Sequence, residues 1–233
     1  MGLHHAKAVE VMGFADLVAV ADPFAEEARV RESLPAATRF FSDPAVMLRE
    51  VKPDVVHVVT PPETHVAMAR LALEQGAHVY VEKPFALSSA DAQEILDFAR
   101  EKDRKVCAGH QVLFQHSGQH YRNYLPIMRN LVHIESYFSF KTVRRVSGSL
   151  MAPVEQVVDI LPHPVYLMLD VFEASAGNAA STPCEVLSVD VDARGEVRAL
   201  LKQGDTPAML TVTLRGRPIE SYLRIVGTNG SLW

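Results

Sequence analysis

The feature that most limits the fold of this chain is a rhythm in its first half. Short, uninterrupted apolar runs alternate with longer helix-like stretches. Leu17–Ala21, Asp54–Val59, Val79–Glu82 and Lys105–Gly109 read as strands, with a further short one at Arg39–Phe41. Leu3–Met12, Pro23–Leu34, Pro44–Val51, Pro62–Gly76 and Ser88–Asp103 read as the helices around them. Strands that lack polar alternation are buried on both faces, and helices on either side of a parallel sheet supply that burial. The punctuation agrees: Asp43-Pro44 places an N-cap before a first-turn proline, Gly76 ends a helix, and Ser88 with Asp91 forms a capping pattern. The expected fold class is α/β, a doubly wound, Rossmann-like parallel sheet over roughly residues 1–112.

The second half has another pattern. His133–Val143 alternates as a half-buried strand does, and Met151–Phe172 is helical with interruptions at Pro162 and Pro164. Strands follow near Glu185–Val191, Val197–Leu201, Met209–Leu214 and Tyr222–Val226, with Gly and Pro between them. Consecutive strands on short connections predict an α+β domain with a mainly antiparallel sheet over residues 113–233. A doubly wound domain opens with a strand and a Gly-rich turn, whereas this chain begins within its first helix. Gly227–Trp233 reads as a turn and the start of a strand. The expectation is a piece of a longer protein, cut at both ends.

Composition removes several function classes. A hydrophobic content of 48% with 22% charged residues belongs to a globular protein. The net charge of -5 carries no basic stripe to offset it, and Lys141–Arg145 reads as a solvated strand end, so no nucleic-acid partner is expected. No apolar run approaches the roughly 18 residues a membrane helix needs, so no membrane partner is expected either. Cys107 and Cys184 are too few and too far apart for a disulfide framework or a Cys-x-x-Cys site, which fits a reducing compartment, and the cytoplasm is the simplest location. His116 and His120 have i, i+4 spacing but no third ligand nearby, so they read as a polar helix face and no metal is expected.

Chemistry-bearing residues gather where the strands end. Val81-Glu82-Lys83-Pro84, Ala21-Asp22-Pro23, Thr60-Pro61-Pro62 and Gly109-His110-Gln111 each follow a strand, and open α/β sheets bind ligands at the carboxyl ends of their strands. An ammonium such as that of Lys83 can stabilise an oxygen that gains negative charge. The Asp22 carboxylate can accept from ribose hydroxyls or simply cap a helix, and both readings stand. Further on, Asp159-Ile-Leu-Pro-His163 sets a carboxylate and an imidazole four apart, on one face if the helix is continuous. Histidine suits proton transfer near neutral pH.

Taken together these residues resemble the Gfo/Idh/MocA family of NAD(P)-dependent oxidoreductases, most strongly from Asp54 to Gln111. The resemblance implies that Gly2 is the last glycine of a pyrophosphate-binding turn whose other glycines lie upstream of Met1. It implies that Asp22 meets the adenosine ribose, favouring NAD without excluding NADP, and that Thr60 and Pro61 line the cofactor groove. His65 sits where the family often carries His or Asn. Glu82 would lie near the nicotinamide ribose and Lys83 at the reacting hydroxyl. His163 would exchange the hydroxyl proton, Asp159 would position substrate or imidazole, and His110 and Gln111 would border the substrate. The family's usual form is Asp-x-Gly-x-His with an Asp three residues on; here Leu161 replaces the Gly, Pro162 precedes the His, and Tyr166 stands in place of the last Asp. The implied activity is hydride transfer between NAD(P) and a secondary alcohol or ketone of a sugar, inositol or sugar nucleotide, in a homo-oligomer built through the second domain. Two alternatives stay open: a non-catalytic binding or assembly protein, and a fragment of a longer sugar-nucleotide enzyme.

Overall fold

The computed structural model describes residues 1–142, 151–176 and 182–233, which form two compact units, Met1–Gly109 and His110–Trp233. The first unit runs α1 (Gly2–Val11), β1 (Ala19–Ala21), α2 (Glu27–Arg31), β2 (Arg39–Phe41), α3 (Pro44–Val51) and β3 (Val55–Val58). A 3-10 turn (Pro62–Thr64), α4 (His65–Glu74), β4 (His78–Val81), α5 (Ser89–Glu101) and β5 (Val106–Ala108) complete it. Its strands are all parallel, in two ladders, β1–β2 and β3–β4–β5. This is the Rossmann-like alternation that the apolar runs predict.

Local chemistry sets the element ends. Asp43 accepts from the Ala45 N–H at 2.7 Å and Pro44 opens α3, while Ser88 accepts from the Asp91 N–H at 3.1 Å ahead of α5. Gly76, at φ +85°, takes the left-handed turn that follows α4. The helix predicted from Pro23 to Leu34 contracts to α2. The cause is Asp22, whose Oδ1 accepts from the N–H groups of Phe24 (2.9 Å) and Ala25 (3.1 Å) and holds a turn that competes with helix. Glu26 consequently stays extended, and α2 starts only after it. The core of this unit joins Leu48 of α3 and Leu73 of α4 to Val79 and Val81 of β4 and Ile95 of α5. Each such aliphatic side chain contributes about 1.5–3 kcal/mol when fully buried.

The second unit opens with a 3-10 turn (Gln111–Phe114), then α6 (His116–Met128), β6 (Leu131–Ser139), α7 (Pro153–Ile160) and α8 (Pro162–Ala176). Strands β7 (Glu185–Asp192), β8 (Glu196–Gln203), β9 (Thr206–Thr213), β10 (Ser221–Gly227) and β11 (Gly230–Leu232) follow. They make one sheet in the order β11-β10-β6-β9-β8-β7, antiparallel throughout except for the parallel β6–β9 pair. α8 sets Leu167, Met168, Val171 and Phe172 against Ile134, Leu210, Val212 and Ile225 of the sheet. The strand predicted to reach Val143 ends at Ser139, and Val143 and Arg144–Arg145 of the basic run lie outside the described residues.

α6 has no clear apolar period to announce it, since Gly118 and Pro126 interrupt a largely polar stretch. Close packing and one ion-paired tie hold it. A Cβ at Gly118 would collide with the Val112 and Leu113 carbonyl oxygens, so only glycine lets α6 sit against the preceding turn. On α8, Asp170 accepts from the Tyr121 hydroxyl and from two nitrogens of Arg122, one of them Nε at 2.9 Å. Among the described residues no helix is long and apolar enough to cross a membrane, and no group of three His, Cys, Asp or Glu could hold a metal ion.

Candidate active site

The parallel ladders fix which predicted residues emerge together in the first unit. Val58 pairs with Val81, and Val81 with Ala108, so the segments after β3, β4 and β5 leave one edge of the sheet at the same level. Thr60 and Pro61 leave β3 there, both exposed, and Glu82 and Lys83 leave β4. Asp22 follows β1 in the other ladder, its N–H donating to the Phe41 carbonyl at 3.0 Å and its carboxylate exposed. Gly2 is the first residue of α1; a Cβ there would meet only Val59 Cγ2 at 3.7 Å, so packing does not require glycine.

Glu82 is 7% exposed, and both its oxygens are engaged. Oε1 lies 3.1 Å from His5 Nε2, and Oε2 accepts from the Lys83 N–H at 3.0 Å. His5 in turn sets Nδ1 at 3.1 Å from His57 Nδ1, and the His57 ring stacks on Tyr80 with centroids 5.0 Å apart. Two Nδ1 atoms facing each other share one proton, so one ring donates and the other accepts. Burial first, and the neighbouring His5 second, hold His57 below the ordinary imidazole range. Gly109 permits this arrangement: a Cβ there would stand 3.1 Å from the Val81 oxygen and Glu82 Cα, and 3.0 Å from the Tyr80 hydroxyl.

His65 is 1% exposed and faces inward. Its Nδ1 lies 2.8 Å from the Pro84 carbonyl oxygen and its Nε2 2.8 Å from the Thr60 carbonyl oxygen. It therefore spans the two loops that carry Thr60 and Lys83, and its contribution is to their placement. The Thr60 hydroxyl accepts from the Thr64 hydroxyl at 2.7 Å, which orders the first of those loops further.

In the second unit, Asp159 and His163 do not share one helix. α7 ends at Ile160 and α8 begins at Pro162, because a proline nitrogen has no hydrogen to continue the helical ladder. Pro162 and Pro164 both fall in the first turn of α8, where a missing N–H costs nothing. Asp159 is exposed on the last turn of α7 and His163 half-buried on the first turn of α8. His163 Nδ1 lies 2.9 Å from the Tyr166 hydroxyl, and the Tyr166 ring stacks on His110 with centroids 4.3 Å apart. Burial holds His110 below the ordinary imidazole range. Gln111 is exposed at the start of its 3-10 turn. His163 also lines a cavity of about 730 Å³ with His116, Tyr121, Phe138, Tyr222 and Trp233; Asp159, His110 and Gln111 are not on its wall. Neither thiol is set up as a nucleophile: burial pushes Cys107 up, and burial with the Glu185 charge pushes Cys184 up.

Residues 1–110 match the model of the Gfo/Idh/MocA family, described as an oxidoreductase family with an NAD-binding Rossmann fold. The first unit of this chain belongs to the Gfo/Idh/MocA family. It is 30% identical over 110 residues to UDP-N-acetylglucosamine 3-dehydrogenase of Acidithiobacillus ferrooxidans, which covers 47% of this chain and 35% of that protein. It is 40% identical over 86 residues to D-glucoside 3-dehydrogenase of Escherichia coli, covering 37% of this chain and 24% of that one. In these pairings the chain spans about a third or less of the relative's length. The fold extends further: myo-inositol dehydrogenase of Lactobacillus casei, solved with NAD(H) and myo-inositol, superposes with a TM-score of 0.82 at 21% identity over 100% of this chain and 70% of that one. The family match thus covers the first unit, and the structural likeness extends the fold alone to both units.

Sequence reading missed His5, His57 and Tyr80 around Glu82, and Tyr166 as the partner of His163. One signal for the first group was present. His57 interrupts the otherwise apolar Val-Val-His-Val-Val run of β3, where a polar side chain needs a partner.

Proposed function

We propose that this chain works as a dehydrogenase that moves a hydride between NAD and a secondary alcohol or ketone of a sugar-like substrate. The match of residues 1–110 to an NAD-binding oxidoreductase family carries this reading. The donor set fits a dinucleotide: Asp22 offers an exposed carboxylate for ribose hydroxyls, Gly2 leaves the amino end of α1 uncrowded, and Glu82 is anchored beside Lys83. A carboxylate at Asp22 would repel a 2′-phosphate, which favours NAD over NADP. The dinucleotide, when bound, accepts or returns the hydride. Thr60 and Pro61 would line its groove.

The remaining roles belong to side chains of this chain. Lys83 would stabilise the alcohol oxygen as it gains negative charge. His163 would take the hydroxyl proton in oxidation and return it in reduction. Asp159 would hold the substrate, with His110 and Gln111 at its border. Residues 1–112 would bind cofactor, and 113–233 would select substrate and build a homo-oligomer through their sheet. Its place of work would be the cytoplasm.

Calorimetric titration of the 233-residue chain with NAD(H) and NADP(H) tests the reading. NAD(H) should bind, and Asp22→Ala should weaken it by at least about tenfold, the loss of one or two hydrogen bonds to a charged group. Folded protein that binds neither nucleotide would refute it.

A further inference from the structure

We infer that His5 is the positioning residue for Glu82: its Nε2–H donates to Oε1 of the carboxylate and holds it where the ribose of a bound dinucleotide would meet it. The inference rests on the reading of Glu82 as the ribose neighbour and says what fixes that side chain. His5 Nε2 lies 3.1 Å from Glu82 Oε1, and the Lys83 N–H reaches Oε2 at 3.0 Å. The two contacts fall on different oxygens, so together they set both the place and the rotation of the carboxylate. The His5 and Glu82 side chains are 17% and 10% exposed, so water competes little for the pair. His5 is itself held from behind. Its Nδ1 lies 3.1 Å from His57 Nδ1, the rings meeting edge to face with centroids 5.3 Å apart. His57 and Tyr80 are cross-strand partners on β3 and β4; their rings stack on each other, and the Tyr80 ring also reaches His5, 5.4 Å between centroids.

The direction of each bond follows from the acid end of this chain of groups. A carboxylate only accepts, and an imidazole nitrogen is the more basic partner, so the shared proton sits on His5 Nε2. In a neutral ring that leaves Nδ1 bare, and Nδ1 then accepts from His57 Nδ1–H. His57 suits the part: burial first, and the neighbouring His5 second, hold it below the ordinary imidazole range, so near neutral pH it is an uncharged ring with one N–H to give. If the proton between the two Nδ1 atoms crosses to His5, that ring becomes an imidazolium facing a carboxylate, and its Nε2–H still donates to Glu82. Both positions of the proton therefore leave the grip on Glu82 unchanged. His5 also lies one turn into α1, whose first residue is Gly2. One short helix would thus offer its amino end to the pyrophosphate and its next turn to Glu82, which ties the two ends of the proposed cofactor groove together.

The test is ring-nitrogen NMR of the full chain labelled with 15N-histidine at about pH 8, where imidazoles are uncharged, with His5→Gln and His57→Gln assigning the signals. Wild-type protein should show His5 protonated on Nε2 and bare on Nδ1, and His57 protonated on Nδ1. Glu82→Leu removes the acceptor and should move the His5 tautomer ratio at least about tenfold toward Nδ1–H, the equivalent of one hydrogen bond to a charged group. A wild-type spectrum with His5 Nε2 bare overturns the inference without any variant, and so does an unchanged ratio in folded Glu82→Leu. Calorimetry with NAD(H) reads the consequence. His5→Phe, which keeps a ring but no donor, should weaken binding about three- to tenfold, and His5→Gln, whose amide can donate to Glu82 and accept from His57, should restore most of it. Equal affinity in wild type and folded His5→Phe would overturn the positioning role. Wild-type protein with the expected tautomers that fails to bind NAD(H) would refute the dehydrogenase reading and leave the hold of His5 on Glu82 standing.

Discussion

Removing the His65 ring should loosen the two loops that the proposed cofactor site depends on, and the size of the loss follows from its contacts. A neutral imidazole has one N–H, so at any moment His65 donates to either the Thr60 or the Pro84 carbonyl, each 2.8 Å away. His65→Ala strips the donor from both. A buried carbonyl left without a partner costs about 1–3 kcal/mol. The space vacated by a side chain 1% exposed costs about another 2 kcal/mol, as large-to-small changes in a packed core do. The sum is about 3–5 kcal/mol, a large share of the ~5–15 kcal/mol that holds a typical domain together. With a urea slope of about 1–3 kcal/mol/M, the unfolding midpoint of the first unit should fall by at least ~1 M. His65→Gln, which retains an N–H donor of similar reach, should recover about half of that. Circular dichroism in urea reads the midpoint, and hydrogen exchange of peptides covering Val59–Thr64 and Val81–Phe85 localises it. A His65→Ala midpoint within ~0.3 M of wild type, with unchanged exchange in those peptides, would refute the reasoning.

Two further outcomes follow from the same kind of argument. Burial pushes the Asp170 carboxyl up, but hydrogen bonds from Arg122 and Tyr121 outweigh it and hold the carboxyl below its ordinary value. A carboxyl depressed in the folded state stabilises above its unfolded pKa of about 4, and the gain disappears as pH falls through the lower folded value. Asp170→Asn should therefore cost about 1–2 kcal/mol at pH 7, discounted for an Arg122 side chain that is 38% exposed, and the gap to wild type in urea unfolding should close toward pH 2; a gap that widens in acid would contradict this. Gly109→Ala puts a Cβ 3.1 Å from the Val81 oxygen and Glu82 Cα, neither of which can yield cheaply. It should cost about 1–3 kcal/mol by thermal melting, and an unchanged melting temperature would show that the close approach is not limiting.

What the sequence reveals and what it hides separate along physical lines. Strands β3 and β4 and helices α3 and α5 were legible because their signals are local: apolar runs, an Asp or Ser cap, a proline in the first turn. The positions of Asp22, Thr60, Glu82 and Lys83 after strands were legible for the same reason. The length of α2 was not, because a capping pattern does not say whether Asp22 starts a helix or holds a turn before it. α6 was hidden because its reason to be helical is tertiary: the fit of Gly118 against a carbonyl turn and the tie from Asp170 to Tyr121 and Arg122. The Asp159–His163 spacing suggested one helical face, and Pro162 turned it into a junction between two helices. The contacts of His5 with Glu82, and of Tyr166 with His163, come from side chains that no period or cap points out. The second is the more instructive case, because Tyr166 was visible only as a departure from a pattern.

The place of β6 in its sheet bears on how this protein must be made. Ile134 sits between Ala208 of β9 and Ile225 of β10, so the central strand of the second unit hydrogen-bonds to partners synthesised long after it. In the first unit β4 finds β3 already beside it, and β5 comes one helix later. A ribosome emitting this chain thus delivers the first unit in an order it can use at once. It then releases β6, whose apolar face α8 can cover but whose hydrogen-bonding edges wait until β9 arrives. Stalling or truncation between those two points would leave an apolar strand with two open edges, the species most prone to pair with a neighbouring nascent chain.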